Sequence, residues 1–209
     1  CNVANREEVM KVAQKVRQDV GDVTILINNA GVLRILPFLS HTSKDIQTTM
    51  DINVMAHFWT LQAFLPNMVK NNHGHIVALS SLAGFVGLTR NLTAYSTSKF
   101  AVRGMMEALY NDLHVDSKCR IKTTCVYPTV VDTALLNINN FHMKYPKILP
   151  ILKPKYVAEC IMNAQRRDMF EVTLPRHMLI ACNLLRLLPT QAAIAIFEFL
   201  DCYLGSDSE

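Results

Sequence analysis

A strand that leads through a turn of small residues into a long helix constrains this chain more than any other stretch. The run His75–Leu79 is apolar and β-branched, and residues 80–84 supply the turn. The next helix is predicted from about residue 94 to 117, and it carries Tyr95 and Lys99, which are four residues apart and so share one face. The stretch thus brings a serine hydroxyl, a phenol and an ammonium group near one strand end. That arrangement suits proton transfer to or from an alcohol or carbonyl.

Predicted helices and strands alternate along the rest of the chain. The predicted helices cover residues 5–21, 42–71 and 154–167, and the further strands cover residues 24–27, 122–127 and 169–174. Continuous apolar strands of this kind are typical of a parallel sheet that is covered on both faces. The alternation predicts an α/β protein with a doubly wound, Rossmann-like parallel sheet.

The C-terminal segment departs from this pattern. We assign residues 1–174 to a partial Rossmann-like domain and residues 175–209 to an apolar tail. Arg186, Pro189, Glu198 and Asp201 interrupt the tail, so it lacks the run of about 18 apolar residues that a spanning helix needs. Three interpretations remain open: packing in the core or in a dimer, a helix on a membrane surface, and a true span.

Two other segments have no regular pattern. Residues 129–152 form a long stretch that contains Pro146 and Pro150 and follows Pro128, and long loops inside a compact domain often serve as lids. The acidic end, residues 206–209, is predicted to be disordered.

The composition argues against several classes of protein. The chain has 209 residues, a hydrophobic fraction of 50% and a net charge of +4. These values fit one globular α/β domain or a large part of one, and the scattered basic residues do not form a nucleic-acid-binding stripe. None of the six cysteines forms a Cys-x-x-Cys pair, so core thiols in a reducing compartment are favoured over disulfides or a metal site.

Two asparagine-containing segments are candidates for function. Asn28-Asn29-Ala30-Gly31 follows the strand at residues 24–27, and small residues at the carboxyl end of a parallel strand let the backbone approach a ligand closely. An ordinary Asn-Gly-type turn is the alternative. Asn53 interrupts the apolar face of a helix, where a buried amide must find partners. It could equally be a surface or core-satisfied amide.

The pairing of Tyr95 with Lys99 gives the clearest chemical hypothesis. A tyrosine with the ordinary pKa of about 10 is a poor base near neutral pH. A nearby ammonium group stabilises the phenolate, so we predict that Lys99 lowers the pKa of Tyr95. Ser81 can donate a hydrogen bond to a carbonyl or alkoxide oxygen.

In these motifs the sequence resembles the short-chain dehydrogenase/reductase family over nearly its whole length. Residues 28–31 match the family's Asn-Asn-Ala-Gly turn, and Asn53 matches its helix asparagine, which helps to organise a proton-relay water. Ser81 in Ser-x-x-Gly matches the catalytic serine, with Ser80 as the alternative. Tyr95 and Lys99 match Tyr-x-x-x-Lys, in which the tyrosine is the general acid and base.

The resemblance also implies a nicotinamide cofactor, NAD or NADP. It places the cofactor against residues along the whole chain: Asn2, Val3, Asn29, Ala30, Gly31, Tyr95, Lys99, Pro128, Val131 and Thr133. In the family the lysine holds the ribose hydroxyls, and the segment from Pro128 to Thr133 contacts the nicotinamide carboxamide. The details are most similar to the subgroup of epidermal retinol dehydrogenase 2 and the 17β-hydroxysteroid dehydrogenases 11 and 13. This implies a lipophilic alcohol or ketone as substrate, a homodimer, and attachment to endoplasmic reticulum or lipid-droplet membranes.

The sequence departs from the family pattern in four places. Thr129 replaces the glycine after Pro128, Asn2 replaces an adenine-contacting aspartate, and the spacing from Ser81 to Tyr95 is one residue longer, which predicts a bulge at residues 89–91. The family's first two strands and glycine-rich turn are not among these residues. We therefore expect a fragment that is incomplete at its N-terminus, with residues 24–27 as an exposed apolar edge strand. We expect this chain by itself to bind nicotinamide cofactor weakly or not at all, and tight saturable NADH binding would contradict this.

Two functions of different classes follow. The first is an NAD(P)-dependent oxidoreductase that acts on a CH–OH group of a lipophilic alcohol, through Tyr95, Ser81, Lys99 and Asn53. The second is a non-catalytic fragment or isoform that the tail holds on a membrane or in a dimer.

Overall fold

Four parallel strands form the central sheet in the described part of the chain. The structure, a computed structural model, describes residues 1–87, 90–136 and 141–204. The strands are β1 (Ile25–Asn28), β2 (His75–Leu79), β3 (Lys122–Pro128) and, after a short strand β4 (Phe141–Met143), β5 (Glu171–Leu174). The sheet order is β1-β2-β3-β5. This arrangement confirms the predicted α/β fold with a parallel sheet.

Seven α-helices surround the sheet in the described part of the chain. They are α1 (Arg6–Asp19), α2 (Ser43–Met50), α3 (Ala56–Asn71), α4 (Thr93–Leu113), α5 (Pro154–Arg166), α6 (His177–Leu187) and α7 (Thr190–Leu200). Asn5 caps α1, because its side-chain oxygen accepts the backbone N–H groups of Glu7 and Glu8. The predicted helix at residues 42–71 is continuous but contains a π-helical turn, Asp51–Met55, between α2 and α3.

The core lies on both faces of β2 and β3. Ile76, Val77 and Ala78 are fully buried, as expected for a central strand of a covered parallel sheet. The five described cysteine side chains are free, and Cys125 and Cys182 are buried, as predicted for core thiols. Cys182 belongs to α6, so the first tail helix packs into the main core cluster.

The edge strand β1 is covered on one face only. Leu26 and Asn28 are buried, whereas Ile25 and Ile27 are 44% and 43% exposed. The expectation of an exposed apolar edge is therefore confirmed. Helix α1 buries Val9 and Ala13, whereas Val12 and Val20, which recur at the same helical spacing, are exposed.

The predicted lid is not irregular throughout. Its strand β4 pairs antiparallel with β6 (Cys202–Leu204) at the end of the tail, and Val131 bridges Leu152. Pairing between distant segments supplies the hydrogen bonds that a short strand cannot find locally, so the sequence pattern gave no sign of it. Residues 137–140 of the predicted lid and the acidic end, residues 206–209, lie outside the described residues.

The helices of the tail are short and partly exposed. Their exposed apolar side chains are Ile180, Leu184, Leu187, Leu188, Ile194, Ile196 and Phe199. Among the described residues, no helix has both the length and the hydropathy required to cross a bilayer.

Candidate active site

The carboxyl ends of β1 and β2 form the floor of the site. Asn28 pairs with Ala78 in the parallel register, so the turn after β1 and the serine turn after β2 emerge side by side. A Cβ atom placed on Gly31 would lie 3.4 Å from Asn53 Oδ1 and 3.6 Å from Lys99 Nζ. The small residue at position 31 therefore leaves space directly beside both side chains. This edge of the sheet is where α/β proteins bind ligands.

Asn53 is buried and links the loop after β1 to α4 through hydrogen bonds. It lies in the π-helical turn, a local geometry that often occurs at functional sites. Its Oδ1 atom accepts the Val32 N–H at 2.8 Å, and Nδ2 donates to Val32 O at 2.9 Å and to Ser98 Oγ at 3.0 Å. Both amide N–H donors are used inside the protein, so the side chain positions its neighbours.

The two serines of the turn have different surroundings. Ser80 is buried, and its hydroxyl donates to Lys99 O in α4 at 2.8 Å. Ser81 is half-buried, its Oγ accepts the Ala83 N–H at 3.2 Å, and it forms a hydrogen bond with the Tyr95 phenol. Ser80 therefore joins the turn to the helix, whereas Ser81 faces the phenol.

Lys99 is buried against the end of β2. It is 4% exposed, and its Nζ donates to Leu79 O at 2.8 Å and lies 5.7 Å from the centroid of the Tyr95 ring. Burial lowers the pKa of Lys99 to about 8, because an ammonium group loses its hydration there. Most Lys99 side chains remain cationic at neutral pH.

The prediction that Lys99 lowers the pKa of Tyr95 is wrong for this structure. Burial raises the pKa of Tyr95 above its ordinary value, and only the hydrogen bond from Ser81 opposes that effect. The Lys99 ammonium group is held on Leu79 O, 5.7 Å from the centroid of the Tyr95 ring. Desolvation of the phenolate then outweighs the attraction of the cation.

The remaining predicted cofactor residues follow β1 or belong to the end of β3 and the loop after it. Asn29 and Ala30 are exposed in the turn after β1, and Pro128 ends β3, the strand next to β2. Val131 bridges Leu152, and Thr133 is exposed in the loop that follows.

The predicted adenine-side residues, Asn2 and Val3, precede α1. Asn2 makes local hydrogen bonds: its N–H donates to Glu8, and its side chain accepts the Ala4 N–H. Of the predicted bulge, residue 89 lies outside the described residues, and Asn91 has a left-handed backbone with φ of +60°.

Sequence reasoning missed two residues of the site. Ser98 is fully buried, and its hydroxyl donates to Tyr95 O at 2.6 Å while it accepts from Asn53. A serine three residues after the tyrosine is placed for such a bond within a helix, which was the available signal. His57 is 2% exposed, and its ring lies within the electrostatic influence of Lys99. Its place four residues after Asn53 on the helix was the signal.

His57 should make stability depend on acid pH. Burial lowers its pKa from 6.5 to about 4. Between these two pH values the His57 imidazole is protonated in the unfolded chain and neutral in the folded chain. The free energy of unfolding therefore falls by roughly 3 kcal/mol as the pH drops from about 6.5 to about 4. Urea denaturation of wild type and His57→Phe at pH 7.5 and pH 4 would measure this contribution as the difference between their losses. Equal losses of unfolding free energy in the two proteins would contradict a lowered pKa of His57 in the folded chain.

Comparison with known proteins agrees with this geometry. The profile of the short chain dehydrogenase family matches residues 1–143. The chain belongs to this family. A short-chain dehydrogenase from Streptomyces avermitilis superposes with a TM-score of 0.74 at 22% identity, over 96% of this chain and 79% of its own, which supports the fold. A gluconate 5-dehydrogenase from Burkholderia cenocepacia J2315, in complex with NADP and tartrate, gives 0.60 at 25% identity, over 65% and 51%.

Curated relatives of this short-chain dehydrogenase confirm the predicted subgroup. Short-chain dehydrogenase/reductase family 16C member 6 of Bos taurus is 40% identical over 200 residues, which are 96% of this chain and 62% of the relative. Epidermal retinol dehydrogenase 2 of Mus musculus is 36% identical over 203 residues, which are 97% of this chain and 65% of the relative. The chain thus spans less than two thirds of the length of either relative.

Proposed function

We propose that the protein to which this chain belongs is an NAD(P)-dependent oxidoreductase that acts on a lipophilic alcohol, ketone or aldehyde. One observation carries the proposal: Ser81 forms a hydrogen bond with the Tyr95 phenol, beside a buried Lys99 at the carboxyl ends of two parallel strands. Membership of the short-chain dehydrogenase family supports it.

The three side chains have separate tasks in this proposal. Tyr95 removes the proton from the substrate hydroxyl in the oxidation and returns it in the reduction. Ser81 donates a hydrogen bond to the substrate oxygen, which holds the reacting carbon in place. Lys99 supplies a positive charge near the phenolate, and Asn53 fixes the loop and helix that carry these groups.

The residues that are present fit the nicotinamide end of the cofactor. The Lys99 ammonium group has three N–H donors, of which Leu79 O takes one, so donors remain for ribose hydroxyls. Gly31 leaves space beside Lys99 and Asn53 for such a group. We propose Asn29, Ala30, Pro128, Val131 and Thr133 as further contacts, with Asn2 and Val3 toward the adenine. When bound, the cofactor supplies the hydride chemistry, and the protein supplies orientation and electrostatics.

The substrate class rests on the relatives, one of which is a retinol dehydrogenase by name. A panel of retinol, steroids and long-chain alcohols, assayed on the full-length protein with NAD and with NADP, tests it. Turnover of a lipophilic alcohol with either cofactor supports the proposal. The absence of turnover across the whole panel contradicts it.

We also propose that the tail binds a membrane surface through its exposed apolar side chains. Ile180, Leu184 and Leu187 are exposed and recur at helical spacing, so they share one face of α6. From residue 172 to 197 the chain has two arginines and no acidic residue, which suits an anionic lipid surface. Endoplasmic reticulum and lipid-droplet membranes are the proposed locations, and a homodimer through the same face is the competing arrangement.

Flotation with vesicles separates these arrangements. Wild type should float with vesicles that contain phosphatidylserine, and Leu184→Asp/Leu187→Asp should float several-fold less. Val115→Asp is the matched control, because Val115 is 88% exposed outside the tail and Leu187 is 81% exposed within it. If wild type stays unbound but sediments as a dimer that the double substitution dissociates, the membrane proposal is wrong and the dimer takes its place.

A further inference from the structure

Helix α4 contacts the turn of residues 80–84 and the residue after it at three successive levels. Tyr95, Lys99 and Arg103 follow one another at intervals of four residues, so they share one face of the helix. The first two levels belong to the candidate site through their hydrogen bonds with the two serines of the turn. The third level, Arg103, lies about two helical turns beyond the phenol.

Arg103 contacts the aromatic residue that directly follows the turn. Its guanidinium carbon Cζ lies over the ring of Phe85, 4.0 Å from the ring centroid. Phe85 is 1% exposed, and its ring packs edge-on against Tyr127 of β3, with the two centroids 5.1 Å apart. The Phe85 ring is therefore enclosed between α4 and the central sheet.

The Arg103 side chain is itself held in place. Its Nε donates to Glu107 Oε1 at 2.8 Å, one turn further along α4, and only 16% of the side chain is exposed. Its Nη1 atom is buried and has no hydrogen-bond partner among the described residues. The attraction between a cation and the face of an aromatic ring is strongest where water is excluded, so the Phe85 ring is the main partner of this group.

The backbone between Ser81 and Phe85 is short and hydrogen-bonded. The Phe85 N–H donates to Leu82 O at 2.9 Å, and the Gly84 N–H donates to Ser81 O at 2.9 Å. Both bonds belong to a single 3₁₀ turn that joins Ser81 to Phe85. A displacement of the Phe85 ring along α4 therefore moves Ser81 relative to Tyr95.

We propose that Arg103 is a positioning residue, which fixes Phe85 against α4 and thereby sets the place of Ser81 beside the Tyr95 phenol. This inference rests on the proposed oxidoreductase function for its effect on turnover, whereas its effect on the geometry does not depend on that function. Without the guanidinium group, the ring and the turn shift together. A misplacement of about 1 Å can cost roughly a hundredfold in rate, so even a small shift is measurable.

The test compares two substitutions of Arg103 with a matched control in the full-length protein. Arg103→Met keeps an unbranched apolar stem but removes the charge and the planar group. Arg103→Lys keeps the charge without the planar group, and it serves in every measurement if Arg103→Met does not fold. Arg6→Met is the control, because Arg6 also lies over an aromatic ring, 5.8 Å from the centroid of Trp59, in a separate packing cluster.

Turnover separates a positioning role from a purely structural one. At a temperature where each protein is folded by circular dichroism, kcat should fall at least about tenfold in Arg103→Met and less in Arg103→Lys, with KM for the cofactor unchanged. Arg6→Met should keep the wild-type rate. In a Ser81→Ala background, Arg103→Met should cause little further loss, because Arg103 acts through Ser81. Wild-type turnover in folded Arg103→Met, or the same fold-loss with and without Ser81, overturns the proposal.

Crystal structures of the wild type and Arg103→Met supply a readout that needs no turnover. The hydrogen bond between Ser81 and Tyr95 should be present in the wild type and lost in the variant. An unchanged hydrogen bond overturns the proposal. If the wild-type protein oxidises no alcohol but Arg103→Met still loses this bond, the proposed activity is wrong and the positioning role of Arg103 stands.

Discussion

Replacement of Tyr95 by Phe in the full-length protein should lower turnover by at least about a hundredfold, because general acid–base catalysis contributes roughly 10²- to 10⁴-fold. The phenol is the proton-transfer group in the proposed mechanism, and its partner Ser81 cannot replace it. Cofactor affinity should change little, since Lys99 keeps its place on Leu79 O. Steady-state assays at saturating alcohol, together with a fluorescence titration with NADH, measure both effects.

Tyr110→Phe is the matched control for this substitution. Tyr110 lies on the same helix α4, but it stacks on His114 with a centroid distance of 4.2 Å and is well away from the serine turn in sequence. Its replacement should leave turnover unchanged. Full activity of Tyr95→Phe would refute the assigned role, whereas equal losses in both variants would point to damage to the helix.

The second large effect is a loss of stability, which we expect from a substitution at Gly84, where the turn of residues 80–84 packs against α4. A Cβ atom there would lie 2.5 Å from Ser80 Oγ and 2.6 Å from both the carbonyl carbon and the oxygen of Lys99. Real Cβ atoms do not approach backbone so closely, so the turn and the helix must separate. Gly84→Ala should destabilise the protein by about 3 kcal/mol, at the upper end of overpacking costs. For a chain of this size the midpoint of thermal unfolding falls by roughly 10 °C.

Gly104→Ala supplies the control, because nothing lies within 4 Å of a Cβ placed there and the residue is within α4. An alanine in a helix interior is favoured over glycine by roughly 0.5–1 kcal/mol, so this variant should be slightly more stable. Thermal unfolding followed by circular dichroism compares the two proteins. A Gly84→Ala protein that melts at the wild-type temperature would show that the turn is not clamped to the helix.

The clamp at Gly84 also connects stability with the proposed chemistry. Ser80 donates to Lys99 O across the same contact, so a shift of the turn moves Ser81 relative to Tyr95. Activity of Gly84→Ala should therefore fall even at temperatures where the protein is folded. The contact between the turn and α4 thus serves both packing and the proposed catalysis. It requires a residue without a side chain at position 84.

Elements with strong local signals were predictable from the sequence. The strand His75–Leu79 has the predicted bounds, and α1 begins one residue after the predicted start at residue 5, because burial and capping leave patterns that are read locally. The match to the family motifs also predicted which residues form the candidate site: the Asn28–Gly31 turn, Asn53, Ser81, Tyr95 and Lys99. The antiparallel pairing of β4 with β6 was not, since it joins segments that are distant in the chain.

The sequence by itself determined the chemical groups: a serine turn after a buried strand, and a tyrosine and a lysine on one helix face. Only the tertiary structure decided how those groups affect one another. In the structure, Ser80 bonds to the backbone of α4, Ser81 bonds to the Tyr95 phenol, and the Lys99 ammonium group bonds to Leu79 O. Burial raises the pKa of Tyr95. The physical reason is that residue spacing along a helix fixes which side chains are neighbours. Desolvation and hydrogen-bond partners, by contrast, depend on atoms contributed by other strands and loops.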